Sequence, residues 1–286
     1  GNEGFDNISE SLETIYACGS KQTFAGVLMP RAAFERTDVL YIANDFTSDC
    51  AYEVDWANEP PFSLPIGWAP QIGQVMYSMG IDYTYTSEEG DILAAVTNAG
   101  RQFLVTIPAQ GVPSAETILS DDTLGYYGWG ALFLDGDNDG DRDLIVATGL
   151  PFADGQTLAF TAQIMPQDEV AMESKLFYYE ADSEGGFTDT SSEAGPWFEH
   201  GSGEWYGLAS GDFNDDGCLD MVAAMRYVKT RDPFSQDTVQ SVLEGYAPAD
   251  DDYMVSGPGL RVLMNTCPEA DNHWVGVRVP DIPGTV

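Results

Sequence analysis

The strongest signal in the sequence is the stretch GALFLDGDNDGDRDLIVATG at residues 130–149, which returns as GLASGDFNDDGCLDMVAA at residues 207–224. In both copies a glycine stands five residues before the first aspartate of an acidic loop, and the last aspartate follows the first by eight residues. A short apolar run begins directly afterwards. An acidic loop between two strand-like runs, present twice, predicts a repeated β-structure with a cation-binding turn.

Two weaker copies of the strand after the loop lie upstream. The aspartates that head the four strands are Asp38, Asp91, Asp143 and Asp220, separated by 53, 52 and 77 residues. Thirty glycines and sixteen prolines favour many short strands over long helices. Units of about 40–50 residues with about four strands are typical of propeller blades. The predicted fold is an all-β propeller of four-stranded blades, four or five in this chain, either as a small propeller or as part of a larger one.

The first acidic loop offers oxygen atoms at alternate positions. These side chains reach one centre only if the chain curls tightly, and Gly140 permits that turn. An all-oxygen shell of six or seven ligands indicates Ca²⁺ over Zn²⁺, with Mg²⁺ less suited. The predicted ligands are Asp135, Asp137, Asp139, the carbonyl of Asp141, and Asp143.

The second loop has the same spacing, and we expect a second calcium site there. Its predicted ligands are Asp212, Asn214, Asp216, the carbonyl of Cys218, and Asp220. An EF-hand is excluded because it needs a glutamate at position 12 and a helix afterwards. That position holds Val146 in one loop and Ala223 in the other. A dockerin-like loop, which also runs into a helix, fails on the same ground. In the upstream copies the ligand positions are lost or misplaced, so two sites are expected.

Charge and composition exclude several classes of protein. Eleven basic residues against 47 acidic ones give a net charge of −36, whereas nucleic-acid binding and polybasic membrane binding both need a positive face. The chain is 43% hydrophobic and 12% aromatic, enough to form a core and avoid disorder. It contains no apolar run of about 18 residues, so no membrane span is expected.

The four cysteines predict an oxidising environment. Four cysteines allow three pairings, of which Cys18–Cys50 and Cys218–Cys267 close the shortest loops. Two disulfides favour an extracellular, cell-surface or periplasmic location. Four buried free thiols are the alternative that the spacing leaves open.

The organisation expected along the chain is a propeller over residues 1–270. Residues 151–174 and 229–257 lack strand periodicity and are interpreted as insertions, either partner-binding loops or mobile decoration. Residues 271–286 are interpreted as a further β segment or the last propeller strand.

At these residues the chain resembles the FG-GAP/VCBS repeats of integrin-α-type propellers, and most closely the group of cartilage acidic protein with its UnbV/ASPIC tail. The resemblance rests on GWGALFLDGDNDGDRD at 128–143, LYIANDF at 40–46, GFTD at 186–189 and NHWVGVRV at 272–279. It implies a calcium-binding propeller, usually secreted, that serves adhesion or recognition. The chain departs from the family in its blade number, since about seven blades are usual there.

The expected function is a non-catalytic extracellular recognition, adhesion or structural module with an unknown protein or glycan partner. One alternative is a lectin or a polysaccharide-active enzyme, with the aromatic loop at 197–206 as sugar platform and Glu199 with Glu204 as acid and base. Core packing of that loop is the simpler interpretation, and His200 and His273 form no catalytic constellation with other residues. Another alternative is a subunit of a surface filament or larger complex.

Overall fold

The computed structural model has an all-β architecture, as the sequence predicts. It describes residues 23–31, 37–44, 49–58, 62–63, 78–98, 102–117, 126–149, 174–182, 185–198, 204–229 and 254–266. Within these ranges the chain forms fifteen strands and one 3₁₀ turn, Pro196–Phe198.

The strands form four separate sheets in chain order. Sheet I contains β1 (Thr23–Met29), β2 (Asp38–Asn44), β3 (Cys50–Val54) and β4 (Phe62–Ser63). Sheet II contains β5 (Ser78–Tyr85), β6 (Ile92–Asn98), β7 (Phe103–Ile107) and β8 (Ser114–Thr117). Sheet III contains β9 (Gly128–Leu134), β10 (Asp143–Thr148), β11 (Leu176–Ala181) and β12 (Phe187–Asp189). Sheet IV contains β13 (Glu204–Gly211), β14 (Asp220–Lys229) and β15 (Met254–Leu263).

Each sheet is an antiparallel meander in which every strand pairs with the next one along the chain. In sheets II and III the second strand is almost completely buried, and β10 is buried along its whole length. A continuous apolar run without alternation is the pattern of a strand that is covered on both faces. The sheets must therefore be stacked, because a single meander cannot bury both of its own faces.

Three apolar clusters fill the spaces between consecutive sheets. Met29, Val39 and Tyr41 of sheet I pack with Ile92, Ala94 and Val96 of sheet II. On the other side of sheet II, Leu93 and Ala95 pack with residues of sheet III that include Phe133, Leu144 and Phe177. The far side of sheet III, with Leu132, Ile145 and Leu176, packs with Trp205, Met221 and Ala223 of sheet IV. The first strands are neighbours throughout, since β1 packs against β5, β5 against β9 and β9 against β13.

Glycines let these first strands approach closely. A Cβ on Gly80 of β5 would lie 2.4 Å from the carbonyl oxygen of Trp129 in β9, and a Cβ on Gly130 would lie 2.3 Å from that of Tyr206 in β13. Both distances are shorter than any non-bonded contact, so only glycine fits. Gly130, the glycine five residues before the first acidic loop, is therefore a sheet-packing residue.

The segments predicted as insertions are only partly described. Residues 151–173 lie outside the described ranges. The second segment, 229–257, has strand at both ends, because β14 extends to Lys229 and β15 begins at Met254. The pairs Lys229↔Met254 and Val228↔Val255 continue the β14–β15 ladder into it. Residues 1–22 and 267–286, including the predicted tail at 271–286, also lie outside the described ranges.

Candidate functional site

The first acidic loop connects β9 to β10 in sheet III. Its backbone enters the left-handed region twice, at Asn138 with φ 65° and at Gly140 with φ 101°. The amide of Gly140 donates to Asp135 Oδ2 at 3.1 Å, and that of Asp141 donates to Asp139 Oδ1 at 2.9 Å. The tight curl predicted for Gly140 is confirmed, and it turns the alternate side chains inward.

Three carboxylates meet inside this loop. One oxygen from each of Asp135, Asp137 and Asp139 lies within 4.8 Å of the others. Two oxygens that each lie about 2.4 Å from one calcium ion are at most about 4.8 Å apart, so the spacing suits a shared ion. Asp135 Oδ1 is buried and has no hydrogen-bond partner among the described residues. A buried carboxylate oxygen without a donor is costly unless a cation satisfies it.

The environment also disfavours the negative charge of these groups. Burial raises the pKa of Asp135 and of Asp137 above the ordinary value, and the charge of Asp139 raises both further. Backbone amides that donate to the two carboxylates lower the pKa values and offset part of this effect. A divalent cation would remove the repulsion that remains.

Asp143, the last predicted ligand, is buried and hydrogen-bonded to the sheet. Its Oδ2 accepts from the amide of Gly136 at 2.9 Å and from the hydroxyl of Tyr178, and its Oδ1 accepts from the amide of Ala181 at 3.0 Å. It therefore joins the loop to the end of β11. Burial, followed by the contact with Asp143, raises the pKa of Tyr178 far above its ordinary value, which keeps the hydroxyl protonated as a donor.

The second loop, between β13 and β14, repeats this hydrogen-bond frame. Gly217 (φ 91°) donates to Asp212 Oδ2 at 2.9 Å, and Cys218 donates to Asp216 Oδ1 at 2.8 Å. Asp220 Oδ2 accepts from Phe213 at 2.9 Å, and Asp220 Oδ1 accepts from the amide of Asn265 at 2.8 Å. Each bond has its counterpart in the first loop, so the two segments share one backbone conformation.

One difference separates the two loops. Asn214 replaces the second carboxylate, and its Nδ2 donates to Asp216 Oδ2 at 2.7 Å. Asp216 therefore accepts a hydrogen bond from a side-chain amide, whereas no described side chain donates to Asp137 or Asp139. Among the described residues, the three-carboxylate cluster occurs only in the first loop.

Sheets I and II keep the leading aspartate without the acidic loop. Asp38 accepts from the amide of Arg31 at 2.7 Å and from Trp56 Nε1 at 2.8 Å. Asp91 accepts from the hydroxyl of Ser87 at 2.9 Å and from the amide of Ala109. In sheets II, III and IV, one backbone amide that donates to the leading aspartate lies at the end of the third strand or just past it. Sequence reasoning found the repeated aspartate but not this partner, which is 18 to 45 residues away.

The described ends of the aromatic loop before sheet IV pack in the core. Trp205 is fully buried and meets Trp197 edge to face at a centroid distance of 6.3 Å. Glu204 is also buried, and its Oε2 accepts from the hydroxyl of Tyr206 at 2.9 Å. Glu199 and His200 lie outside the described residues. The described part of the loop therefore agrees with the simpler packing interpretation.

A cleft of about 480 Å³ lies beside the first loop, between sheets II and III. Tyr85 and Phe187 supply aromatic surface, and Arg142 and Asp182 supply charge. Gly140 and Asp141 of the loop form part of its wall.

Among the described cysteines, neither Cys50 nor Cys218 is a free thiol. Cys18 and Cys267 lie outside the described ranges, so the pairings Cys18–Cys50 and Cys218–Cys267 stay predictions. No helix in the described ranges is long and apolar enough to cross a membrane.

No protein-family model matches the chain, and no curated protein matches it.

Proposed function

We propose that this protein is a calcium-stabilised β-propeller of the FG-GAP/VCBS type that acts outside the cell as a recognition, adhesion or assembly module. Four meander sheets stacked in chain order through their first strands support the propeller architecture. The two acidic loops share one backbone conformation, which supports two calcium sites rather than one. The proposed role is non-catalytic.

The observation that carries the calcium assignment is the buried, unpartnered Oδ1 of Asp135 within the three-carboxylate cluster. Hard carboxylate oxygens in a flexible loop match the preference of Ca²⁺. In the first loop Asp135, Asp137 and Asp139 would hold the ion, together with the carbonyl of Asp141. Asp143 would support the site by fixing both ends of the loop to β11.

The proposed role of the ion is structural. Each loop joins the first strand of its sheet to the second, and the aspartate after it bonds to the third. A cation at this point fixes three strands at once. The rigid sheets would then present their exposed loops and faces to a partner.

Metal stoichiometry tests this proposal. The wild-type chain should bind two calcium ions, and Asp137→Ala should bind one fewer, as counted by calorimetric titration and by elemental analysis of the dialysed protein. Asp141→Asn is the matched control, because only its backbone carbonyl is a predicted ligand and the ion should remain. An unchanged stoichiometry in Asp137→Ala would contradict the first site.

A further inference from the structure

Asn265 of sheet IV is hydrogen-bonded to both acidic loops. It follows the end of β15 by two residues and is half-buried. Its backbone amide donates to Asp220 Oδ1 at 2.8 Å, and its side-chain Nδ2 donates to the carbonyl oxygen of Gly136 at 2.5 Å. Asp220 ends the second loop, whereas Gly136 belongs to the first. One residue therefore joins the acidic loop of sheet III to that of sheet IV.

This contact reaches the first loop between two predicted calcium ligands. Gly136 lies between Asp135 and Asp137, and its carbonyl belongs to the peptide bond with Asp137. Its amide donates to Asp143 Oδ2 at 2.9 Å, and a Cβ on Gly136 would lie 2.3 Å from the hydroxyl oxygen of Tyr178. The backbone is closely packed here, so a shift of either ligand moves the carbonyl that accepts from sheet IV.

The contact reaches the second loop at the corresponding place. Asp220 Oδ1 accepts from the amide of Asn265, and its Oδ2 accepts from the amide of Phe213 at 2.9 Å. Phe213 lies between the predicted ligands Asp212 and Asn214. Three hydrogen bonds in series therefore connect the backbone between the first two ligands of one loop to the corresponding backbone of the other.

The corresponding residues of the preceding sheets have no such side chain. In sheet III the amide that donates to the leading aspartate belongs to Ala181, and in sheet II it belongs to Ala109. A methyl group cannot donate a hydrogen bond to a neighbouring loop. Among the described residues of sheets II to IV, a donor side chain at this position therefore occurs only between the two sheets that both carry an acidic loop.

We propose that Asn265 couples the two calcium sites, so that an ion in one loop raises the calcium affinity of the other. This inference rests on the proposed function, because both loops must bind calcium. An ion held by Asp135 and Asp137 also fixes the carbonyl of Gly136, the acceptor of the side chain of Asn265. The second loop then loses less conformational freedom when its own ion binds. Since coupling of affinities is reciprocal, the second ion favours the first by the same factor.

Calorimetric calcium titrations of the full chain measure the coupling. Asp216→Ala should leave only the first site and Asp137→Ala only the second, which gives the two single-site association constants. The product of the two association constants of the wild-type chain should exceed the product of these single-site constants by about 5-fold or more. With Asn265→Ala added to all three chains, this ratio should fall to about 1, as expected for independent sites.

Asn58→Ala is the matched control for the loss of an asparagine side chain. Asn58 Nδ2 also donates a hydrogen bond, to Asp55 Oδ2 at 2.8 Å, but it lies after β3 in sheet I. The ratio should therefore stay at its wild-type value. Asn265→Asp is a second variant in case Asn265→Ala folds poorly. It keeps the backbone amide and the size of the side chain but replaces the donor group by an oxygen, so the ratio should also fall to about 1.

Hydrogen exchange gives a readout that a general loss of stability would not reproduce. In Asp216→Ala, calcium bound to the first loop should slow exchange of the Phe213 amide in the second loop. Adding Asn265→Ala should abolish this calcium-dependent protection while the first site still binds its ion. A merely structural role of Asn265 would weaken both sites without changing the ratio of the affinity products.

Three results would overturn the inference, and they have different meanings. Equal products of association constants in the wild-type chain and the single-site variants would exclude coupling and leave both calcium sites in place. A ratio that stayed at its wild-type value in both Asn265 variants would show that another contact couples the loops. A wild-type chain with zero calcium stoichiometry would instead overturn the proposed function, and this inference with it.

Discussion

Asp49 is a buried carboxylate at the junction of sheets I and II. Its Oδ2 accepts from the hydroxyls of Tyr41 at 2.9 Å and Ser78 at 2.8 Å, and its Oδ1 accepts from the amide of Asn44 at 2.9 Å. Burial raises the pKa of Asp49 to about 7, and the three donors only partly oppose this shift. Asp49 directly precedes β3 and Ser78 opens β5, so the side chain of Asp49 links the start of β3 to the next sheet.

The raised pKa makes the stability of the fold depend on pH. Between about pH 4 and pH 7 the folded state holds a proton on Asp49 that the unfolded chain releases, so the free energy of unfolding falls as pH rises. In Asp49→Asn the side chain cannot titrate, so the free energy of unfolding does not fall with pH for this reason. The melting temperature of Asp49→Asn relative to wild type should therefore rise between about pH 5 and pH 8.

Glu88→Gln serves as the control for this experiment because Glu88 is exposed at a turn. Its melting temperature relative to wild type should change little over the same range. A difference between Asp49→Asn and wild type that stayed constant with pH would show that Asp49 has the same proton affinity in the folded and unfolded chains.

The aspartates of the first acidic loop show which contacts can be predicted from the sequence pattern alone. The turn at Gly140 and the convergence of Asp135, Asp137 and Asp139 follow from alternation and from the freedom of glycine, which are local properties. The hydrogen bond from the amide of Ala181 to Asp143 cannot be predicted from such local properties, because it joins residues 38 apart in the chain. Only the pairing of β10 with β11 brings that amide to the carboxylate.

At the scale of the sheets, Gly130 and Gly207 form a natural matched pair. A Cβ at Gly130 would meet the carbonyl of Tyr206 at 2.3 Å, whereas a Cβ at Gly207 meets a methyl group at ordinary contact distance. We expect Gly130→Ala to lower the free energy of unfolding by about 1–3 kcal/mol, since β9 and β13 must separate. Gly207→Ala should change it by less than about 0.5 kcal/mol.

Urea denaturation of both variants and of the wild-type chain checks this difference. Equal losses of stability in the two variants would mean that the close approach of β9 and β13 does not constrain Gly130. A small loss of stability in both variants would likewise mean that the close approach of the two strands does not constrain this position.

The order of the sheets was predictable because each is a meander of neighbouring strands. Glycine-rich turns and short apolar runs predicted the hairpins, and the repeat predicted four or five units, of which the described residues form four sheets. The extent of β14 and β15 was not predictable. Residues 254–257 look irregular by themselves, and the ladder that includes Val228↔Val255 becomes visible only when the two strands lie side by side.

At the scale of the whole molecule, calcium removal should destabilise the protein substantially. An ion that binds only the folded state at 100 times its dissociation constant contributes about 2.7 kcal/mol. Two such sites, at about 2–4 °C per kcal/mol, predict that EDTA lowers the melting temperature by more than about 5 °C. Differential scanning calorimetry with and without the chelator measures this shift.

Excess calcium added back after EDTA should restore the original melting temperature, which controls for other effects of the chelator. A melting temperature that EDTA leaves unchanged would contradict a stabilising role for both ions.

Calcium at the two proposed sites would account for only a small part of the charge of the molecule. Two divalent ions would cancel four of the 36 net negative charges. The two loops hold nine of the 47 acidic residues, so most of the negative charge lies outside the proposed sites.

The sequence by itself determined the all-β class, a repeat of four or five units and the acidic loops with their glycine turns, because hairpins and tight turns depend on residues close together in the chain. Only the tertiary structure decided which amides hold Asp143 and Asp220 and why Gly130 must be glycine. These features depend on which strands and sheets become neighbours. Packing between distant segments sets that arrangement, and spacing along the chain does not reveal it.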